Sequence, residues 1–377
     1  MLSVEQEYFI RILRDFINAE KCTKVLKNLD INYLTEYGKK HEVLAIIYYQ
    51  TRLPQFLKAY SSTIYINTNR EKMLQEIMKE VDFPIFPVKG ADIAKLYPEP
   101  LLRTMGDTDI VVHTKDREKV HELLQSQGYV NCAKNPRREW QYYKNRMEFE
   151  LHDRLIYTEM VNNSKQEAFF NDFWPYVKDN HLNQNFHFLF LIAHIRKHFM
   201  NEGVGFRHFM DIAVLARYAD LDWKWIEEKA DAIELLSFLR AVLSFCNRWF
   251  GTKTPLQMAE ISDEVFELST IKIFKDGVFG FNNEENTGSS AVNLHRKEGN
   301  IGMWKATVKK LFLPYRILRK EAEYAFIDGK PFLLPIAWIY RIALKSREKD
   351  KKKRLSKTIV SSEVIRKREE LYRQWGL

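Results

Sequence analysis

Cysteine is scarce, with three in 377 residues, at Cys22, Cys132 and Cys246. Scattered and odd in number, they exclude a disulfide framework and a cysteine-built zinc cluster, and they fit a reducing cytoplasm. Long apolar runs are also missing: no unbroken stretch approaches the ~20 residues of a membrane span, and the mean hydropathy is −0.40. Glu5, Glu7, Arg11 and Arg14 interrupt the start of the chain, so no secretory signal is expected. There is no internal repeat. What is present suits a folded body, with 45% hydrophobic and 14% aromatic residues in a length sufficient for two domains or one domain with large additions.

Against that background one segment stands out, Gly106-Asp107-Thr108-Asp109-Ile110-Val111-Val112. Its β-branched run predicts a strand, and carboxylates at i and i+2 of a strand share a face. Two ionised carboxylates held at ~4 Å repel by roughly 4 kcal/mol at an effective dielectric of ~20, which demands a compensating charge. A divalent cation is the usual one. The spacing alone is not diagnostic, because Asp220-Leu221-Asp222 repeats it ahead of the helical pattern Trp223-Lys224-Trp225-Ile226, where Asp222 reads as an N-cap.

The surroundings of the first pair are ordered. The apolar run from Phe83 to Val88 predicts a short strand, and Lys89-Gly90-Ala91 opens a helical segment through Leu96. A Gly-marked helix start offers free N–H groups and a positive dipole end to phosphate, with Lys89 adding a charge. A Pro-flanked loop and Arg103 lead into the aspartates. Residues Asp116 to Gln127 read as a helix ended by Gly128. Trp140 to Lys144 and Met147 to His152 then read as a hairpin around Asn145-Arg146, with Met147, Phe149 and Leu151 on one face and Glu148, Glu150 and His152 on the other.

Taken together, Val88-Lys89-Gly90-Ala91, Leu96-Tyr97-Pro98, Arg103 through Val112, Gly128-Tyr129 and Phe149-Glu150-Leu151-His152 resemble the bacterial, largely uncharacterised nucleotidyltransferase-like proteins of the DNA polymerase β nucleotidyltransferase superfamily. The resemblance implies an α+β protein with a polymerase-β-like sheet and flanking helices. It implies that Asp107 and Asp109 are the paired metal-binding aspartates and Glu150 the third carboxylate, serving two Mg²⁺ ions for which Mn²⁺ can substitute. Lys89-Gly90 stands where many members have Gly-Ser, which leaves nucleotide identity open. Each residue also has a plainer reading. The aspartates can cap a strand, Glu148 rivals Glu150, Lys89 can be a solvated surface lysine, and Arg103 can pair with Glu99 or Asp107.

The flanks read as helical. Residues 1–80 carry a stripe of Val4, Tyr8, Phe9, Ile12, Leu13 and Phe16, expected to pack. The catalytic core is expected at 81–155, a helical domain completing the cleft at 156–280, a linker or mobile loop at 281–300, and a basic helical extension at 301–377. Within the second helical part, His194 and His198 stand at i, i+4 without the glutamate of a zinc-protease motif, so a role facing the cleft is preferred to zinc. Arg207 and Asp211, at the same spacing, are either a helix-surface ion pair or nucleotide contacts.

The net charge is +9, and much of the excess lies in the last forty residues, notably Lys349 through Arg354. Ahead of it runs Phe332 to Tyr340, apolar but too short for a span. A core helix with a solvated tail is the plain expectation, and an anionic membrane surface or nucleic acid the alternatives. The expected function is a cytoplasmic, metal-dependent transfer of a nucleoside monophosphate from an NTP to a hydroxyl acceptor: sugar or glycan precursor, small molecule, protein or RNA end. In this scheme Lys89, the Gly90 amide and Arg103 steady the phosphates, and His194, Arg207 and Asp211 face the nucleotide. Two other functions compete, an inactive nucleic-acid-binding or regulatory module and a toxin-like enzyme that modifies tRNA.

Overall fold

The computed structural model describes residues 2–22, 29–132, 140–145, 147–156, 163–201, 203–278, 312–319, 322–347 and 370–377. It is a mixed α+β structure in which a five-stranded sheet is covered by helices. The chain starts with α1 (Val4–Ile17), α2 (Ile31–Lys40), α3 (Leu44–Thr51) and the long α4 (Leu57–Lys79). A capping box opens α1: the Ser3 hydroxyl accepts from the Gln6 N–H at 3.2 Å and the Gln6 side chain accepts from the Ser3 N–H at 3.0 Å. The stripe on α1 is buried at Tyr8, Phe9, Ile12, Leu13 and Phe16. Val4, the first residue of α1, departs from it and is 61% exposed.

The sheet strands are β1 (Ile85–Pro87), β2 (Asp107–Val112), β3 (Val130–Asn131), β4 (Trp140–Lys144) and β5 (Met147–His152), in the order β1-β2-β5-β4-β3. Only β2 and β5 run parallel, with Asp107 beside Glu148, Asp109 beside Glu150 and Val111 beside His152. Period-two alternation then divides the sheet. Ile110, Val112, Met147, Phe149 and Leu151 face a core shared with Met73, Leu74 and Ile77 of α4 and Val120 and Leu124 of α6 (Arg117–Ser126). Asp107, Asp109, Glu148, Glu150 and His152 face the other way, toward the helical body. α6 ends as expected at Gly128, whose φ of +79° needs glycine. Between β1 and β2 lies the short helix α5 (Gly90–Ile93).

The second helical part comprises α7 (Ser164–Asn171), α8 (Gln184–Asn201), α9 (Phe206–Tyr218), α10 (Trp223–Ala232), α11 (Leu236–Phe250) and α12 (Asp263–Asp276). Asp222 caps α10 by accepting the Trp225 N–H at 3.0 Å, so the second D-x-D is helix punctuation. These helices share one core with α1: Phe9 meets Phe206 at 5.8 Å and Phe274 at 5.5 Å, and Arg14 Nε donates to Trp249 O at 2.7 Å. Far along the chain, Trp375 stacks on Phe245 with centroids 4.1 Å apart and donates its indole N–H to Ser269 Oγ at 3.0 Å.

Segment 281–300 and the run Lys349 through Arg354 lie outside the described residues. The expectation of a core helix over Phe332 to Tyr340 needs correction. A helix does span Leu334–Arg347, but from Phe332 to Tyr340 only Ala337 is fully buried, while Phe332, Ile336 and Ile339 point to solvent.

Candidate active site

The site is built on the face of β2 and β5 that turns toward the helical body. β2 has packing on both sides, with Ile110 and Val112 in one core and Val111 in the other, and this burial carries Asp109 down to 4% exposure. Parallel pairing brings Glu150 alongside. His152 Nε2 lies 2.8 Å from Asp109 Oδ1 and 3.4 Å from Glu150 Oε2. Lys89 Nζ donates to the same Asp109 Oδ1 at 2.6 Å, and Gln141 Nε2, on the neighbouring β4, donates to Glu150 Oε1 at 2.5 Å. Asp109, Glu150 and His152 each offer a ligand atom within 4.8 Å of the others. Asp107 shares their face but stands outside that convergent set.

Charges follow from the geometry. Burial works against ionising Asp109, but Lys89 and His152 outweigh it and hold the carboxyl well below its usual range. Burial likewise opposes the charged forms of Lys89 and His152. The surrounding carboxylates overcome it, raising Lys89 and lifting His152 to about 9, so His152 is a cation at neutral pH. Glu150 is lowered, because hydrogen bonding to His152 outweighs burial. Asp107 goes the other way: burial and the Asp109 charge raise it.

Lys89 is held from behind. Its backbone sits at φ 54°, ψ −128°, a left-handed conformation costly for a side-chain-bearing residue. Its N–H donates to His187 Nε2 at 2.9 Å, and His187 Nδ1 faces Asp92 Oδ2 at 3.3 Å. His187 is 1% exposed on α8, so a carboxylate–imidazole pair from the helical body fixes the peptide that carries the lysine. Neither His187 nor Asp92 is singled out by local sequence, and His187 is 98 residues from its partner.

The remaining candidate residues make the following contacts within the protein. Arg103 forms a two-pronged buried ion pair with Asp211 on α9, Nε to Oδ1 at 3.1 Å and Nη2 to Oδ2 at 2.6 Å, and the Tyr97 hydroxyl joins at 2.7 Å. Arg103 therefore pairs with neither Glu99 nor Asp107. Arg207 reaches Glu42 and the Thr104 carbonyl rather than Asp211, so the expected i, i+4 pair does not form. Gly90 lies under Arg103: a Cβ there would meet the guanidinium, with Cζ at 2.7 Å. His194 Nε2 and His198 Nε2 are 3.1 Å apart, and His208 stacks near His198 with centroids 5.7 Å apart. Burial first, then the neighbouring His198 and Lys89, push His194 well below the ordinary histidine range, so it is a neutral ring.

The structure thus joins Lys89, Asp109 and Glu150, with Asp107 on the same face, and adds His152 and Gln141. His152 had been visible as the third polar position of β5; its closeness to Asp109 depends on a strand pairing that spans 43 residues.

A family model described as "uncharacterised nucleotidyltransferase" matches residues 27–251, well over half of the chain. No curated protein and no solved structure matches it.

Proposed function

The chain belongs to this uncharacterised nucleotidyltransferase family, and from that premise we propose a metal-dependent enzyme that transfers a nucleoside monophosphate from an NTP to a hydroxyl acceptor, releasing pyrophosphate. The convergence of Asp109, Glu150 and His152 on one sheet face, with Lys89 bound to Asp109, is the observation that carries this reading. The proposal includes a polymerase-β-like catalytic sheet.

The donor set fits a divalent cation. Two carboxylates suit Mg²⁺ or Mn²⁺, and the imidazole leans toward the softer Mn²⁺. Asp109, Glu150 and His152 would hold one ion, and Asp107 with Asp109 a second. When bound, the ions supply a lowered pKa at the acceptor hydroxyl and charge stabilisation at phosphorus. The chain's own groups do the rest. Asp109 holds the Lys89 ammonium and the His152 ring; with a cation held there instead, Lys89 would be free to meet phosphate as a point charge. Glu150, kept ionised and held by Gln141, orients the acceptor hydroxyl. Asp92 and His187 keep the Lys89 peptide in place, while Arg103 and Asp211 tie the loop before β2 to α9.

The acceptor is proposed from the classes open to such chemistry: a sugar or glycan precursor, a small molecule, a protein or an RNA end. A module that only bound nucleic acid would gain nothing from carboxylates clustered beside phosphate. The test is incubation with each labelled NTP, Mg²⁺ or Mn²⁺ and a cell extract, followed by identification of the labelled product. Label transfer that disappears in Asp109→Asn supports the reading. Nucleic-acid binding that survives EDTA, without transfer from any NTP, replaces it with the inactive module.

A further inference from the structure

The loop that enters β2 is held by side chains and not by a neighbouring strand. β1 pairs with β2 only over Ile110–Val112, and one further bond, from the Val88 N–H to Asp109 O at 3.0 Å, extends the contact to Asp109. Asp107 therefore has Glu148 of β5 on one side and no residue of β1 opposite it on the other. Loop carbonyls withdrawn from water need donors, and α4 supplies them. Asn67 Nδ2 donates to the carbonyls of Leu101 at 2.8 Å and Arg103 at 3.0 Å. Arg70 donates through Nη1 to Met105 O at 3.1 Å and through Nη2 to Gly106 O at 3.2 Å. Arg103 itself and Arg207 of α9 both reach the Thr104 carbonyl, at 3.0 and 2.9 Å. Asn67 and Arg70 are 4% and 2% exposed, so their bonds are sheltered from competing water.

Within this clamp Arg70 grips the two peptides that immediately precede the Asp107 side chain. A peptide group is planar, so the Gly106 carbonyl, the Asp107 N–H and the Asp107 Cα move as one. A guanidinium is a rigid fork, and with one prong on each carbonyl it fixes two successive planes together. A neutral amide could satisfy the same oxygens, but it would bring no charge. Burial lowers the Arg70 guanidinium to about 10 while Asp107 works against that shift, so Arg70 is a cation at neutral pH beside the carboxylate it would steady. Asp109, Glu150 and His152 converge through strand pairing instead. The two parts of the acidic face thus have different supports.

We propose that Arg70 is a positioning residue for the candidate site: by gripping the Met105 and Gly106 carbonyls it places the Asp107 carboxylate on the face shared with Asp109, and so sets the affinity for a second divalent ion. The inference rests on the transferase reading in assigning Asp107 to that ion.

Counting Mn²⁺ bound to the full chain, by electron paramagnetic resonance, tests it without reference to activity. The native chain is expected to bind two ions. Asp107→Asn and Arg70→Met are each expected to keep the ion at Asp109, Glu150 and His152 within about twofold and to weaken the second at least about tenfold, as loss of the groups that orient metal ligands does. Arg70→Lys keeps the charge without the fork and is expected to fall between native and Arg70→Met; it decides the question alone if Arg70→Met does not fold. In the Asp107→Asn background, Arg70→Met is expected to add no further weakening, because it acts through the same carboxylate. A folded Arg70 variant that binds both ions as the native chain does overturns the proposal. So do equal weakening of both ions, a loss that adds to that of Asp107→Asn, and a native chain that binds a single ion. Absence of label transfer from every NTP would overturn the transferase reading instead and would leave these ion counts standing.

Discussion

Removing the Asp211 carboxylate strands a guanidinium, and the size of the effect follows from the pair's burial. Arg103 and Asp211 side chains are 7% and 5% exposed, and two hydrogen bonds of 3.1 and 2.6 Å join them. At an effective dielectric of ~20 and a charge separation of ~4 Å the attraction is about 4 kcal/mol. The Tyr97 hydroxyl adds a hydrogen bond worth about 1 kcal/mol. After Asp211→Ala, Arg103 keeps its bond to the Thr104 carbonyl at 3.0 Å but has lost the carboxylate that both its prongs reach. Breaking one side of a buried pair costs about 3–5 kcal/mol, and that loss is expected in urea unfolding followed by tryptophan fluorescence. The double variant Arg103→Met, Asp211→Leu leaves no stranded charge and is expected to lose less than Asp211→Ala alone. It should also relieve Gly90→Ala, since the atoms that exclude a Cβ at Gly90 belong to the Arg103 guanidinium. A cost below about 1 kcal/mol for Asp211→Ala, or a double variant weaker than the single, would refute the assignment of this pair as a buried tie.

Four further outcomes follow from the same geometry. Gly90→Ala in the native background is expected to destabilise by about 1–3 kcal/mol through overpacking against Arg103, read from the urea midpoint. Lys89→Met is expected to tighten Mn²⁺ binding in the absence of nucleotide and weaken NTP binding, both read by calorimetry; weaker Mn²⁺ binding would show that the ammonium does not compete for Asp109. His187→Leu leaves the Lys89 N–H buried without its acceptor, a loss of about 1–3 kcal/mol in urea unfolding. His41 is pushed down to about 3 by burial and by Lys40, enclosed by the rings of Phe9, Phe206 and Phe274. The unfolded chain takes up a proton near pH 6.5 that the folded chain refuses, so stability is fully present above that pH and falls toward pH 3, by roughly 4–5 kcal/mol from this group. His41→Gln is expected to flatten the slope of urea midpoint against pH between 6.5 and 4.

Local signals made part of this legible in the sequence. The strand Asp107–Val112, the hairpin of β4 and β5, the Gly128 stop and the Asp222 cap each depend on neighbours within a few residues, and each forms. The same holds for the shared face of Glu148, Glu150 and His152, a property of strand period alone. What escaped depends on long-range packing. Arg103 and Asp211 are 108 residues apart, and Lys89 and His187 are 98 apart; periodicity carries no information about either meeting. His152 lies on the polar face that the sequence shows, but an alternating polar position does not reveal which carboxylate its ring will reach. The apolar run Phe332 to Tyr340 misled in the opposite direction, since apolar character reports a preference for burial and not whether the chain itself supplies the cover.

Lys89 on Asp109 gives the protein an internal counterion. A carboxylate already neutralised from within does not need a dissolved ion in order to fold, unlike the small domains that zinc nucleates. On the proposed function, loading would be a replacement and not an assembly step: a cation held by Asp109 would take over the role that the Lys89 ammonium has there, leaving the lysine free for phosphate. On the proposed function, chelator is expected to abolish label transfer while the chain stays folded, its melting midpoint lower only by what binding of the ion contributed.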